Sequence, residues 1–237
     1  MHPEPARTVP TSGIGEILIS SRSLAEYRGM FALTGADLAG KILDCPGGAA
    51  GLTAEVSALG GDATACDPLY GLLTPAELAA WARDETARGN RYVRAHPEQY
   101  RWTFFPDPDE HARSRLAAGA RFAADLAGHP ERYRAGELPR LPFPDRHFDL
   151  VLSSHLLFSY ADRLDPAFHR AALRELLRVA DGEVRVFPLV PMGLPDEYPE
   201  LAWLRGRLAD DGITTRLVDV AYEFQAGGRR MLVCTRR

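Results

Sequence analysis

The chain is nearly without lysine. Lys41 is the only one among 28 Lys and Arg residues, and the arginines are scattered among 32 acids for a net charge of -4. That balance gives no general positive field for holding nucleic acid, so a nucleic-acid partner is not expected. Cysteine is also scarce. Cys45, Cys66 and Cys234 are far apart, with no CxxC pair, which excludes a disulfide framework and a zinc ribbon and points to buried thiols in a reducing compartment. His111, His129, His147 and His169 show no ligand spacing with cysteines or acids, so no metal site is expected. His147 and His169 are expected to face solvent. No apolar run reaches the length of a membrane span. The opening MHPEPARTVPTSG has no basic stretch followed by an apolar one, so it reads as a frayed tail and the expected location is the cytoplasm.

What is present suits one domain of ordinary size with an insertion. There are 237 residues, 46% of them hydrophobic, enough for a sizeable core. Residues 1–39 read as a tail and short cap helices, with Leu24, Tyr27 and Phe31 at helical spacing. Then KILDCPGGAAG marks a strand over 42–45 and a turn over 47–51. A helix follows over 52–59, ended by Gly60 and Gly61, and ATACD is a second strand over 63–67. Strand, glycine turn, helix and strand in this order make a right-handed βαβ unit with a parallel sheet.

The rhythm then stops. Residues 72–130 are mostly helical in character, with Thr74 and Asp107 near helix starts, and read as an insertion or lid over the sheet edge. Tyr133 is a weak strand signal, and FDLVLSS is a clear apolar strand. Asp165 caps an amphipathic helix with Pro166 at its first position. Strands follow over 183–189, 216–220 and 231–235, with a helix over 201–210. The last two strands flank an AGG turn at 226–228 and read as a closing antiparallel hairpin.

In an open parallel sheet, ligands bind beyond the carboxyl ends of the strands where strand order reverses. Asp44 ends the first strand, Gly47 and Gly48 form the turn, and Asp67 ends the second strand 23 residues after Asp44. Small turn residues admit a nucleotide or amino-acid moiety to the backbone, and Asp67 is able to hold both hydroxyls of a ribose. The plainer account is a tight turn and a solvated acid. A dinucleotide is disfavoured, because Pro46 stands where a further turn glycine is wanted and Asp44 would repel a pyrophosphate. An acid leading into the turn suits a cationic amine.

These residues resemble the motifs of class I S-adenosylmethionine-dependent methyltransferases. The family pattern is an acid followed by glycines two, four and six residues on. Here the acid is Asp44 and the positions are Pro46, Gly48 and Ala50, so the glycine motif is degenerate. The second-strand acid of the family matches Asp67. Gly136 and Glu137 followed by LPFPDRHFD match the approach to the fourth strand. The resemblance implies an α/β, Rossmann-like methyltransferase fold. Its seven-stranded, mostly parallel sheet would carry a C-terminal antiparallel hairpin and a helical insertion after the second strand. It also implies S-adenosyl-L-methionine as cofactor, held by Asp44, Pro46, Gly47, Gly48 and Asp67. Gly136, Glu137 and Leu138 would edge the adenine, and Ser153 to Leu156 would lie beneath the methyl donor. Tyr27 and Phe31 would close over the methionine part, with core packing as the competing role.

Methyl transfer from a sulfonium needs an in-line nucleophile and exclusion of water, and a base only when the nucleophile arrives protonated. His155, just past the fourth strand, is the candidate base. A structural histidine bonded to nearby backbone is the competing account. Tyr160 and Asp162 are candidates to orient it or the substrate. Tyr92, His96, Tyr100, Trp102 and Phe104 suit either an aromatic lid or ordinary core. Arg91, Arg94 and Arg101 are individually expected in solvent. The function expected is methylation of a small molecule. The alternatives are a silent cofactor-binding or partner protein and an RNA methyltransferase. The acceptor, its reacting atom and the oligomeric state stay open.

Overall fold

The computed structural model describes residues 18–236. The expected frayed tail, and the first residues of the helical stretch expected before Leu33, lie outside this range. Ser23 opens α1 (Leu24–Phe31) with a reciprocal capping box to Glu26, and Thr34 does the same with Asp37 for α2 (Gly35–Ala39). The chain then enters β1 (Lys41–Asp44), crosses through α3 (Leu52–Ala58) and returns in β2 (Asp62–Cys66), which pairs parallel to β1. Two helices of 21 residues follow, α4 (Pro75–Ala95) and α5 (Pro108–Gly128). Thr74 caps the first through a box with Glu77, and Asp107 caps the second by accepting from the amides of Asp109 and Glu110. The two helices pack on each other, and α5 also packs on α3.

The remainder is β3 (Tyr133–Arg134), β4 (Phe148–Ser154), α6 (Pro166–Val179), β5 (Ala180–Phe187), α7 (Leu201–Asp210), β6 (Ile213–Asp219) and β7 (Arg230–Arg236). The seven strands are ordered β3-β2-β1-β4-β5-β7-β6. All neighbours are parallel except β7, which runs antiparallel to both β5 and β6. Apolar side chains fill both faces, as a parallel sheet requires. Leu43 and Val151 join the core under α6 and α7, while Ile42, Leu150 and Leu152 join the core under α1.

Several boundaries differ from the sequence expectation. β5 begins at Ala180, and β6 runs over Ile213–Asp219, so residues 220–229 form a longer connection than a tight hairpin. That connection carries Tyr222 and Phe224 into the core beside α1. His169 is wholly buried, not solvent-facing: its Nε2 bonds the Leu157 carbonyl at 2.7 Å and Phe158 and Tyr198 flank it. His147 is half-buried, with Lys41 Nζ at 2.8 Å from its Nε2. Phe31 is core, packed on Phe187, and so is not brought to the ligand cavity. No described helix is long and apolar enough to cross a membrane.

Candidate functional site

The strand order reverses between β1 and β4, so a crevice opens there beyond the strand ends. A cavity of about 620 Å³ occupies it. That lies within the 300–1,000 Å³ range typical of small-molecule sites. Its walls bring together Tyr27, Pro46, Gly47, Gly48, Asp67, Gly136, Glu137, Leu138 and His155. Cys66, Leu69, Trp81, Leu156 and Phe168 make the rest largely apolar. Four sequence candidates, Asp44, Ser153, Tyr160 and Asp162, are not in this wall. Ser153 is buried on the opposite side of β4, because strand residues alternate faces, and Ser154 lines the cavity in its place. Tyr160 is buried, and its hydroxyl accepts from the Leu18 amide at 2.7 Å instead of meeting His155. Asp162 is ion-paired with Arg163.

The glycine turn is shaped by its neighbours. Gly48 has φ +53°, the left-handed region open to glycine. Its amide donates to Asp67 Oδ2 at 3.0 Å, its carbonyl accepts from the Tyr70 hydroxyl at 2.8 Å, and the Leu69 amide donates to Asp67 Oδ1 at 3.1 Å. Asp67 therefore ties the turn to the end of β2. At Gly47 a side chain would stand 2.6 Å from the Tyr70 hydroxyl and 2.8 Å from Ala65 Cβ. Gly47→Ala is expected to displace Tyr70, tilt the turn and cost about 1–3 kcal/mol, by overpacking of a filled site. Urea denaturation checks this; a loss below about 0.5 kcal/mol contradicts it.

Asp44 lies directly behind the wall. It is 1% exposed, its Oδ2 accepts from the Tyr27 hydroxyl at 2.8 Å, and its Oδ1 has no partner among the described residues. Burial, with the nearby Asp67 charge adding to it, pushes the Asp44 carboxyl up to about 8. A buried acceptor without a donor is a strained feature that a bound ammonium group would relieve. Tyr27 lines the cavity in front of Asp44, and Ser154 stands near enough to the same phenol to oppose, weakly, the rise that burial gives its pKa. Ser154 Oγ in turn lies 2.8 Å from His155 Nδ1. Asp44 with Tyr27, and Ser154 with His155, are thus two hydrogen-bonded pairs that approach one another at the Tyr27 phenol.

His155 holds φ 51° just past β4, with its amide donating to the Phe187 carbonyl at 2.8 Å. Burial, and behind it the charges of Arg22 and Arg115, hold its imidazole well below the ordinary histidine range, so it is neutral near pH 7. The ring stands where the large cavity meets a second, smaller one of about 70 Å³. The strip Leu18–Arg22 divides the two and lines both, except that Ser21 lines only the smaller.

The smaller cavity combines two aromatics of the expected lid with groups that no local motif revealed. Tyr92, Tyr100 and Phe224 are in its wall, and Phe224 stacks on Tyr100 at 4.6 Å and on His111 at 4.7 Å. Behind them Arg115 pairs with Glu26 at 2.8 Å, and Tyr222 donates to the same carboxylate at 3.0 Å. The other aromatics of the expected lid are elsewhere: Trp102 packs on the core, Phe104 is exposed beside Tyr222, and His96 pairs with Glu98. Arg91, Arg94 and Arg101 are exposed. Among the described residues no cluster of His, Cys, Asp and Glu is suited to a metal ion.

Comparison with known proteins adds a family-model match over part of the chain. Residues 106–186 match the family model described as a methyltransferase domain. The Methanocaldococcus jannaschii protein MJ0045 is 27% identical over 222 residues, covering 93% of this chain and 97% of that one. Among solved structures, 1,6-didemethyltoxoflavin-N1-methyltransferase of Burkholderia thailandensis is 18% identical with a TM-score of 0.48, over 90% of this chain and 78% of that one. A SAM-dependent methyltransferase from Aquifex aeolicus is 16% identical with a TM-score of 0.41, over 83% and 81% of the respective chains. The methyltransferase-domain match covers about a third of the chain, and among the described residues it lies in a seven-stranded α/β sheet in which β7 runs antiparallel to its neighbours.

Proposed function

We propose that the chain binds S-adenosyl-L-methionine in the large cavity and transfers its methyl group to a small-molecule acceptor. The observation that carries this is what one cavity brings together: Asp67, the open Gly48 turn, the unpartnered Asp44 oxygen behind the wall and a neutral histidine. The residues fit the cofactor. Asp67 has lone pairs left for ribose hydroxyls after its two amide bonds, because an ionised carboxylate accepts about four hydrogen bonds. Gly136, Glu137 and Leu138 edge the adenine, with Trp81 at the rim. Gly47 and Gly48 let the methionine part lie against backbone, and Tyr27 with Asp44 behind it receives the ammonium.

Bound there, the cofactor supplies a methyl carbon made electrophilic by its sulfonium, and the carbon–sulfur electron pair stays on sulfur as the acceptor bonds to carbon. The chain contributes orientation and a water-poor enclosure, which between them supply much of such a rate. His155 Nε2 takes the acceptor's proton where there is one to lose. Ser154 is the positioning residue for that nitrogen. If Ser154 donates to Tyr27, its oxygen accepts Nδ1–H, which leaves Nε2 as the free base.

The test is calorimetric titration with S-adenosylmethionine and, separately, NAD, on the native protein and on Asp67→Asn. Micromolar binding of the first ligand alone is expected, weakened about tenfold in the variant, the value of one charge-assisted hydrogen bond. Tighter binding of NAD, or no binding of either, overturns the reading.

A further inference from the structure

Two buried donors at the small cavity have no partner among the described residues: Arg22 Nε, on the strip that also lines the large cavity, and His111 Nδ1. The His111 assignment follows from its partner: Arg115 Nε donates to His111 Nε2 at 3.1 Å, so the neutral ring carries its hydrogen on Nδ1. Burial and the guanidiniums of Arg115, Arg22 and Arg94 push that imidazole down to about 2, so it stays neutral.

Charge has the same sense. The small cavity is lined by two guanidiniums, Arg22 and Arg115. The Glu26 carboxylate is engaged by Arg115 at 2.8 Å and by Tyr222. Glu85, also in the wall, is clasped by Arg88 through bonds of 2.8 and 2.7 Å. One positive charge is left over, at Arg22, whose donors are used by Ser20 alone among the described residues. Water would fill donors but would not balance the charge. An anion beside Arg22 would balance that charge in a setting where burial strengthens the attraction. Size narrows the anion. A cavity of 70 Å³ takes a planar carboxylate and not a six-membered ring, for which an apolar cavity of about 150 Å³ serves.

We propose that the methyl acceptor is a small organic acid whose carboxylate sits in the small cavity on Arg22 and His111, while the rest of the molecule reaches past His155 into the large cavity. The proposal rests on the methyltransferase reading. It makes the acid group a handle and leaves the methylated group at the other end of the substrate, beside the base. The strip Leu18–Arg22 would then lie over both ligands, with the Tyr160 and Glu85 bonds to its amides holding it in place.

Benzoate and its neutral isostere benzamide test this, titrated by ligand-observed NMR into protein saturated with S-adenosylhomocysteine. Benzoate is expected to bind at least about tenfold more tightly than benzamide, the worth of one charge-assisted contact. His111→Phe, which keeps a ring against Phe224, should weaken benzoate about tenfold and leave S-adenosylhomocysteine affinity unchanged; Arg22→Gln should abolish benzoate binding. Equal binding of the two probes overturns the proposal. So does benzoate that ignores both variants, or benzoate displaced by S-adenosylhomocysteine, which would mean that it occupies the cofactor's own carboxylate position. Failure of both probes with the cofactor product bound also sinks it and leaves the cofactor reading standing. Failure of S-adenosylhomocysteine itself removes that reading, and the acceptor proposal with it. Should His111→Phe not fold, the probe ratio on native protein and Arg22→Gln decide.

Discussion

Asp44→Asn is expected to weaken S-adenosylmethionine binding about 100-fold and, at the same time, to stabilise the ligand-free protein at about pH 8. The two effects have one cause. A carboxylate about 6 Å from an ammonium contributes about 2–3 kcal/mol at an effective dielectric near 20, and the amide removes it. In the ligand-free protein the same carboxylate is a burden. Its Oδ1 has no donor, and burial raises its pKa from an ordinary carboxyl value to about 8. The folded chain therefore holds a proton that the unfolded chain releases near pH 4. Its stabilising contribution is complete below about pH 4 and declines as pH rises to about 8. Asparagine does not ionise, so the variant lacks that decline, and the gain at pH 8 should be of order 2–5 kcal/mol.

Binding carries the opposite sign. Ammonium capture needs the anion, so affinity should fall as pH drops below about 8, by up to tenfold per unit, with a proton released on binding at pH 7. Titrations in buffers of different ionisation enthalpy count that proton. Urea melts of both proteins across pH 5–9 give the stability arm. A variant that loses both stability and affinity would show Asp44 to be a structural acid and nothing more.

The physical reasons why parts of the chain are legible in sequence are local ones. Thr74, Asp107 and Asp165 mark helix starts because a cap acts within three residues of itself. The run from β1 through the turn to Asp67 is legible because a βαβ unit closes within a short stretch of chain. His169 was within reach. Ala172, Leu173 and Leu176 follow it at helical spacing and are buried with it, so the helix period alone puts it on the inner face. Ser154 instead of Ser153 is a matter of which face the end of β4 presents, a single-residue distinction that composition does not make. The small cavity was out of reach. Tyr222 bonds Glu26 across 196 positions, and Arg115 bonds the Ser21 carbonyl across 94. No periodic pattern spans such distances.

Replacing the proposed base gives the other large effect. His155→Gln is expected to lower the methylation rate of an acceptor that must lose a proton by about 10²–10⁴, the usual worth of a positioned general base, with S-adenosylhomocysteine affinity within about threefold of native. The native pH profile should be distinctive. Because burial and two guanidiniums depress the imidazole, its base form persists well below the ordinary histidine range. With S-adenosylmethionine kept saturating at each pH, the rate should therefore stay flat on going from about pH 7 to about pH 6, where an ordinary histidine would already be losing activity. Ser154→Ala removes the acceptor for Nδ1–H and frees the ring to change tautomer, so it should lower the rate without moving cofactor affinity, and Ser154→Thr should restore it. Nitrogen-15 spectra of the ring report the tautomer independently of turnover: hydrogen on Nδ1 in the native protein, redistributed in Ser154→Ala. S-adenosylhomocysteine formation over a panel of small organic acids supplies the rates. A His155→Gln enzyme within threefold of native would reduce the site to orientation alone. An acid limb near pH 6.5 would instead keep the base and discard the buried, positively flanked setting that the small cavity gives it.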